Sequence, residues 1–309
     1  MTPPDHSLIG KRLTLAVRDS LGTTYEILGE LLSPNTIRKH DGSVVEFDPR
    51  ELIHWRVVAQ VTGKAGTGAP LSIRVRELES AMSVTWPTNQ VIEHGKWLLR
   101  TSLEPSLRGC SALPTGDRPF GEPGNEIDQA LQDVTNFYQN QGMQALIEVP
   151  LTVYAPLDAY LDDHGWQITR DEYVMVADTN DCVSIPQLVT QEWRIVRGES
   201  SSQQPSDQYP AHNISLLLEG EDAATARISF TGNWGVISDV SVRSEFRRRG
   251  IGRELIQATA HFARDHDCHR LVFAVDANDP RGVKFGESVG FRPHHRDRYR
   301  SAPSPFPRG

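Results

Sequence analysis

The chain has 309 residues, 38% of them hydrophobic and 23% charged, with a net charge of −8. That is enough for two or three domains with a substantial core, and the apolar runs fall far short of the ~20 residues a membrane span needs. Three cysteines, Cys110, Cys182 and Cys268, form no CxxC pair; this argues against a disulfide framework or a zinc ribbon and suits a reducing cytoplasm.

The opening stretch, MTPPDHSLIGKRL, has no apolar run that would serve as a signal peptide. Residues 8–62 read as short strands: KRLTLAV, TYEILGELL, SVVEF and HWRVVAQV, with Asp41-Gly42 as a hairpin turn and a single short helical turn in FDPRELI. Such a meander resembles a small SH3-like barrel. GKAGTGAP (63–70) reads as a linker, because it lacks the GxxxxGK[ST] spacing of a P-loop.

A helix is expected over RELESAMSV and a strand at KWLLRTS. The amphipathic segment from Ile127 follows, then a buried strand at ALIEV and a short helix ending at His164-Gly165-Trp166. Similar landmarks return later: Ile127 and Gly252, Leu146 and Leu271, and Gly165 and Gly290 are each 125 residues apart. Three matches at one spacing predict a duplicated helix–strand–helix unit. A polar Ser/Gln/Pro loop, ESSSQQPSDQYP (199–210), lies within the second unit.

Charge is uneven. Residues 241–300 carry 13 Lys+Arg against 8 Asp+Glu, with the excess centred on SEFRRRGIG. Nucleic-acid binding usually shows as a basic domain or stripe, so a local excess points to a small anionic ligand. The strand VISDVSV runs into this loop, and a helix opens within the glycines. Helix-start N–H groups lack partners, and Gly250 and Gly252 remove the Cβ atoms that would keep a phosphate away. Arg247, Arg248, Arg249 and Arg253 add charge-assisted donors. HFARDHDCH contains His261, His266, Cys268 and His269, but a five-residue histidine spacing does not put two ligands on one helix face. No metal site is expected there, nor at His294-His295, which reads as a polar strand end.

The loop matches R-x-x-G-x-G between a strand and a helix, and LVFAVDAND followed by GESVGF continues in order. This resembles the acetyl-CoA motif of the GNAT N-acetyltransferase superfamily, over about residues 212–300. More loosely, the whole chain resembles actinobacterial tandem GNAT proteins with an N-terminal SH3-like domain, some described as histone-acetyltransferase-like. The resemblance implies an α+β fold with GNAT mixed sheets flanked by helices. It divides the chain into an SH3-like barrel and linker (1–70), a degenerate GNAT half (71–178) and an acetyl-CoA-binding half (179–309). In the first half GEPGNEI stands where the second has RRRGIG, without arginine.

The resemblance further implies that the backbone of Val240, Ser241 and Val242 pairs with pantetheine, with one N–H polarising the thioester carbonyl. Arg247, Arg248, Arg249, Gly250, Ile251, Gly252 and Arg253 would hold the pyrophosphate, and Asn278 would contact the cosubstrate; otherwise it is a turn residue. Asp239 is either the base that takes the amine proton or the structural partner of an arginine. The family's usual tyrosine acid falls on Gly286, so Tyr299 is the substitute if the last strand brings it back, or else a tail tyrosine. The expected acceptor is an amine-bearing small molecule or a protein lysine or N-terminus, with no membrane. A non-catalytic acetyl-CoA sensor and a nucleic-acid or protein-binding module are the alternatives.

Overall fold

The computed structural model describes residues 3–18, 24–39, 43–57, 64–86, 88–102, 106–184, 193–196, 211–218 and 221–303. The Asp41-Gly42 turn and the 199–210 loop lie outside them. The chain divides into two compact units, Met1–Thr62 with Asp265–Asp267, and Gly63–Arg264 with Cys268–Gly309.

In the first unit, β1 (Arg12–Arg18), β2 (Thr24–Ser33), β3 (Thr36–Arg38), β4 (Val44–Glu46) and β5 (Leu52–Val57) form one antiparallel sheet in the order β4-β3-β2-β1-β5. Alternation in β1 buries Leu13, Leu15 and Val17 against Ile27, Leu31 and Ile37. The expected closed barrel is not formed among the described residues: β4 and β5 are unpaired edges. The edge strand β4 has three residues and an exposed Val44, leaving little length to close the sheet. FDPRELI makes the single short turn expected, though not a helical one, with Asp48 Oδ1 accepting from Arg50 N at 2.8 Å.

The second unit begins with α1 (Leu71–Thr85), the hairpin β6 (Gln90–His94) and β7 (Trp97–Thr101), and β8 (Ala112–Pro114). Then come α2 (Ile127–Asn140), β9 (Leu146–Pro150), α3 (Leu151–Asp163), β10 (Gln167–Asp178) and α4 (Thr179–Val183). The remainder is β11 (Trp193–Val196), β12 (Ala211–Leu218), β13 (Glu221–Thr231), β14 (Trp234–Val242), α5 (Ile251–Asp265), β15 (Arg270–Asp276), α6 (Pro280–Ser288) and β16 (Arg292–Ser301). The segments RELESAMSV, KWLLRTS, ALIEV and VISDVSV overlap α1, β7, β9 and β14, and residues 58–61 of HWRVVAQV lie outside the described residues. No helix among the described residues is long and apolar enough to cross a membrane.

The eleven strands among the described residues of this unit form one mixed sheet, ordered β11-β12-β13-β14-β15-β10-β16-β9-β8-β7-β6. The 125-residue repeat extends to the strand starts Gln167 and Arg292. Those two strands are exchanged: β10 pairs with β15 of the later half, and β16 pairs with β9 of the earlier half. Side-chain alternation divides the middle of the sheet into two layers. Val174, Val176, Val236 and Val272 pack under Leu78, Ala81 and Met82 of α1. Met175, Ala177, Leu271 and Phe273 pack with Leu255, Ile256 and Phe262 of α5.

Candidate active site

The strands β14 and β15 pair in parallel only at Trp234–Val236 against Arg270–Val272, and then part. On its other edge β14 stays paired with β13 out to Val242, but the register slips: Arg227 faces Ser238 while Thr225 faces Ser241. Asp239 and Val240 therefore form a β-bulge opposite Ala226, and Asp239 takes a positive φ of 53°. A bulge re-aims the side chains it carries. Asp239 is exposed, with Ser238 Oγ at 3.3 Å, and no arginine or lysine among the described residues lies within ion-pair distance. An ion pair with an arginine, the structural role open to it, is not formed among the described residues. Val240 is 38% exposed at the gap.

Beyond β14 the chain makes a short 3-10 turn, Ser244–Phe246, and α5 opens at Ile251. Left-handed φ angles at Arg248 (62°) and Gly250 (83°) curl the backbone between them. Alternating conformations of this kind gather N–H groups into an anion-binding concavity. Among the described residues, the N–H groups of Arg248 to Gly252 have no protein acceptor, whereas those of Arg253 and Glu254 bond Gly250 O at 2.9 and 3.2 Å. Arg247, Arg248 and Arg249 are exposed and, like Arg253, have no carboxylate within ion-pair distance there. Arg247 Nε donates to Val242 O at 3.0 Å, and the Arg249 guanidinium lies 5.6 Å from the Phe246 ring centroid. Arg243 differs: Glu221 and Glu245 both pair with it.

Asn278 follows β15 at the same end of the sheet, exposed, its N–H bonded to Asp276 Oδ1 at 2.8 Å. Pro280 and the Asp279 cap, which accepts from Arg281 N, start α6 there. The structure thus gathers Asp239 to Val242, the Arg-Gly loop and Asn278 around the parting of two strands.

Two glycines have reasons the sequence does not show. A Cβ on Gly252 would sit 3.2 Å from Phe285 Cε2 and 3.5 Å from Val242 Cγ2, so this glycine lets α5 approach α6. A Cβ on Gly286 would meet Met175 Sδ and Phe273 Cζ, both at 2.9 Å. The position is filled by core, which leaves no room for a tyrosine.

Tyr299 is not brought to the gap. It lies three strands from β14, fully buried, with its hydroxyl donating to Glu148 Oε1 at 2.9 Å. It belongs to a buried ionic cluster that was not anticipated. Arg108 contacts Glu79 at 2.7 Å, Glu148 at 2.6 Å and Asp297 at 2.9 Å, and Arg100 contacts Glu148 at 2.5 Å. His295, read as a polar strand end, is buried with Nε2 at 3.0 Å from Glu79 Oε1. Burial opposes charge on each group. Burial pushes Glu148 up to about 7 despite Arg108 and Arg100, whereas Arg108 and His295 overcome it to hold Glu79 down at about 2. On His295 burial is likewise overcome, by Asp297 and Glu79, which raise it to about 9. Burial drives the Tyr299 phenol well above its ordinary value. The available signal was an arginine inside WLLRT and a glutamate inside ALIEV, charges at strand positions that otherwise read as buried.

The first half repeats the splayed geometry without the cradle. Its parallel strands β8 and β9 pair only at Ala112 and Ile147. The GEPGNEI loop packs on the β6–β7 hairpin: Lys96 N donates to Glu122 O at 2.7 Å, and a Cβ on Gly124 would lie 2.8 Å from Gly95 Cα. A cavity of about 270 Å³ opens nearby, lined by Glu79, Ser80 and Ser83 of α1 together with Leu98, Thr115 and Tyr154.

Residues 72–300 match the family described as probable histone acetyltransferase Rv0428c C-terminal. The chain is 24% identical to the probable histone acetyltransferase Rv0428c of Mycobacterium tuberculosis, covering 96% of each chain. It is 23% identical to the uncharacterized N-acetyltransferase YobR of Bacillus subtilis over 73% of this chain and 98% of the relative. A GCN5-related N-acetyltransferase from Kribbella flavida superposes with a TM-score of 0.60 at 15% identity, covering 74% of this chain and 95% of that one. The parted strands with their Arg-Gly loop, and a family match spanning most of the chain, lead to one conclusion: this chain belongs to the Rv0428c C-terminal family of GNAT-type N-acetyltransferases.

Proposed function

We propose that the protein transfers the acetyl group of acetyl-CoA directly to an amine in the cytoplasm. Residues 71–178 act as a degenerate GNAT half and 179–309 as the cosubstrate-binding half, preceded by the N-terminal five-stranded sheet. The observation that carries this reading is the concavity of N–H groups at Arg248 to Gly252, without acceptors among the described residues and flanked by arginines that have no carboxylate partner there, where β14 and β15 part. Acetyl-CoA supplies the activated acyl group as its thioester.

Every other role belongs to this chain's own atoms. Arg247 to Arg253 hold the diphosphate by charge-assisted and backbone hydrogen bonds. The free edge of β14 at Val240 to Val242 orients the pantetheine arm and offers an N–H to the thioester carbonyl. Asn278 steadies the cosubstrate from the end of β15. Asp239, aimed by its bulge and with no cationic partner among the described residues, takes a proton from the acceptor ammonium, and the neutral amine so formed attacks the thioester carbonyl and expels the CoA thiolate. The acceptor is a small-molecule amine or a protein lysine or N-terminus; the name of the mycobacterial relative supports trying histone-like peptides first.

The test is thiol release from acetyl-CoA with a panel of amines, polyamines and lysine peptides, alongside melting curves with CoA. CoA is expected to raise the Tm by mass action. Absence of any shift at millimolar CoA, with ATP and NADH as controls, overturns the assignment. A shift with CoA but no thiol release with any amine favours the acetyl-CoA sensor, a reading that Gly286, with no room for a tyrosine, keeps open.

A further inference from the structure

Within the buried cluster, Arg108 grips one oxygen of each of two carboxylates, Glu79 Oε2 at 2.7 Å and Asp297 Oδ2 at 2.9 Å. The other oxygens, Glu79 Oε1 and Asp297 Oδ1, converge on His295 Nε2, at 3.0 and 3.3 Å. Asp297 Oδ1 has no accessible surface and accepts no hydrogen bond among the described residues, the His295 contact being poorly aligned for one. A buried carboxylate oxygen without a partner is costly.

We propose that Glu79, His295 and Asp297 form a binding site for a first-row divalent cation of the Zn²⁺ or Mn²⁺ class. One ligand atom from each residue lies within 4.8 Å of the other two, and all three residues are buried. Metal bonds of about 2.1 Å set neighbouring ligand atoms roughly 3.0–3.4 Å apart, the spacing found on both sides of Nε2. One imidazole with two carboxylates is a borderline-to-hard donor set, which suits these ions more than soft Cu⁺.

The surrounding groups are arranged as an outer shell. Arg108 orients both carboxylates through their non-ligating oxygens, the role such partners play around bound metals. His294 Nδ1, 2.8 Å from His295 Nδ1, is placed to accept the Nδ1 proton, which leaves the Nε2 lone pair for the ion. In that tautomer His294 Nε2–H faces Arg74 Nη1, 3.1 Å away, so this contact has to lengthen while Arg74 keeps its bonds to the carbonyls of Gly66 and Ala69. The 270 Å³ cavity is lined in part by Glu79, the side from which an ion would reach the cluster. Bound there, the ion ties α1 to β16, the last strand of the later half.

The experiment uses the full chain, stripped with a chelator and desalted, titrated calorimetrically with ZnCl₂ and with MnCl₂ and melted with and without each ion. One equivalent should bind, the Tm should rise, and Asp297→Asn and Glu79→Gln should each weaken binding more than tenfold. Mn²⁺ electron paramagnetic resonance on the unsubstituted chain should show nitrogen coupling from one imidazole, a readout that needs no variant to fold. No binding of either ion at millimolar concentration overturns the proposal, and means that a proton alone bridges the three groups. Binding that both variants retain, or a Mn²⁺ signal without nitrogen coupling, places the ion elsewhere and also overturns it.

Discussion

Arg108 and Asp297 are 189 residues apart in sequence, yet Arg108 Nη2 donates to Asp297 Oδ2 at 2.9 Å, both side chains buried. One precedes β8 of the earlier half and the other lies on β16, the last strand of the later half. The pair therefore closes the strand exchange, in which β16 lies between β10 and β9.

Arg108→Met tests how much that closure matters. Removing the cation leaves Glu79, Glu148 and Asp297 buried around an apolar side chain, an arrangement that typically costs about 3–5 kcal/mol. Chemical denaturation should show a loss of that order. A loss below about 1 kcal/mol would mean that Arg100 and His295 carry the cluster without Arg108.

The secondary structure was largely legible, because apolar periodicity is local: Ala130, Leu131, Val134 and Tyr138 of α2 are buried as their spacing requires. The exchange of β10 and β16 was not. Both strands satisfy the same alternation rules wherever they pair, and partner choice depends on contacts more than a hundred residues away. The Arg-Gly loop was readable as a strand–helix junction because its glycine spacing and arginines all lie within about ten residues. The buried cluster was visible only as misplaced charges at Arg100 and Glu148, whose partners come from four separate segments.

His295 should make stability depend on pH in chelator-treated protein. Its folded value, about 9, lies above the ordinary 6.5, because Asp297 and Glu79 overcome burial. The stabilisation is thus fully present below about pH 6.5 and is lost as pH rises through about 9. The Tm should fall across this window, and His295→Gln should flatten the fall. An equal slope in the variant would assign the pH dependence to other groups.

Calorimetry should find one CoA per chain. In the earlier half the GEPGNEI loop packs against the β6–β7 hairpin, Glu122 O accepting from Lys96 N and Gly124 lying against Gly95, and Glu122 and Glu126 would repel a diphosphate. A stoichiometry of two would refute the division into a binding half and a scaffold half.

Gly252→Val should weaken CoA binding and also lower the Tm, since its Cβ would press on Phe285 at 3.2 Å. Overpacking of this kind typically costs about 1–3 kcal/mol. Phe285→Leu should restore part of the stability without restoring affinity. A folded Gly252→Val variant with unchanged Tm and unchanged affinity would show that neither the packing nor the phosphate argument holds at this position.

Asp239 carries the most exposed chemical assignment. Its φ of 53° belongs to the left-handed region, which asparagine tolerates as well as aspartate. Asp239→Asn should therefore keep the bulge, and, with no cation paired to the carboxylate, the Tm should be unchanged. If the carboxylate takes the amine proton, kcat/KM should fall by the ~10²–10⁴ typical of a lost general base. CoA affinity should barely move, because the arginines and free N–H groups lie beyond the bulge, on the loop. The loss should also shrink as pH rises toward the ordinary value of the acceptor amine, where free amine no longer needs a base. A fall in CoA affinity matching the fall in turnover would make Asp239 a cosubstrate contact. Unchanged turnover at neutral pH would leave proton removal to solvent and remove Asp239 from the mechanism.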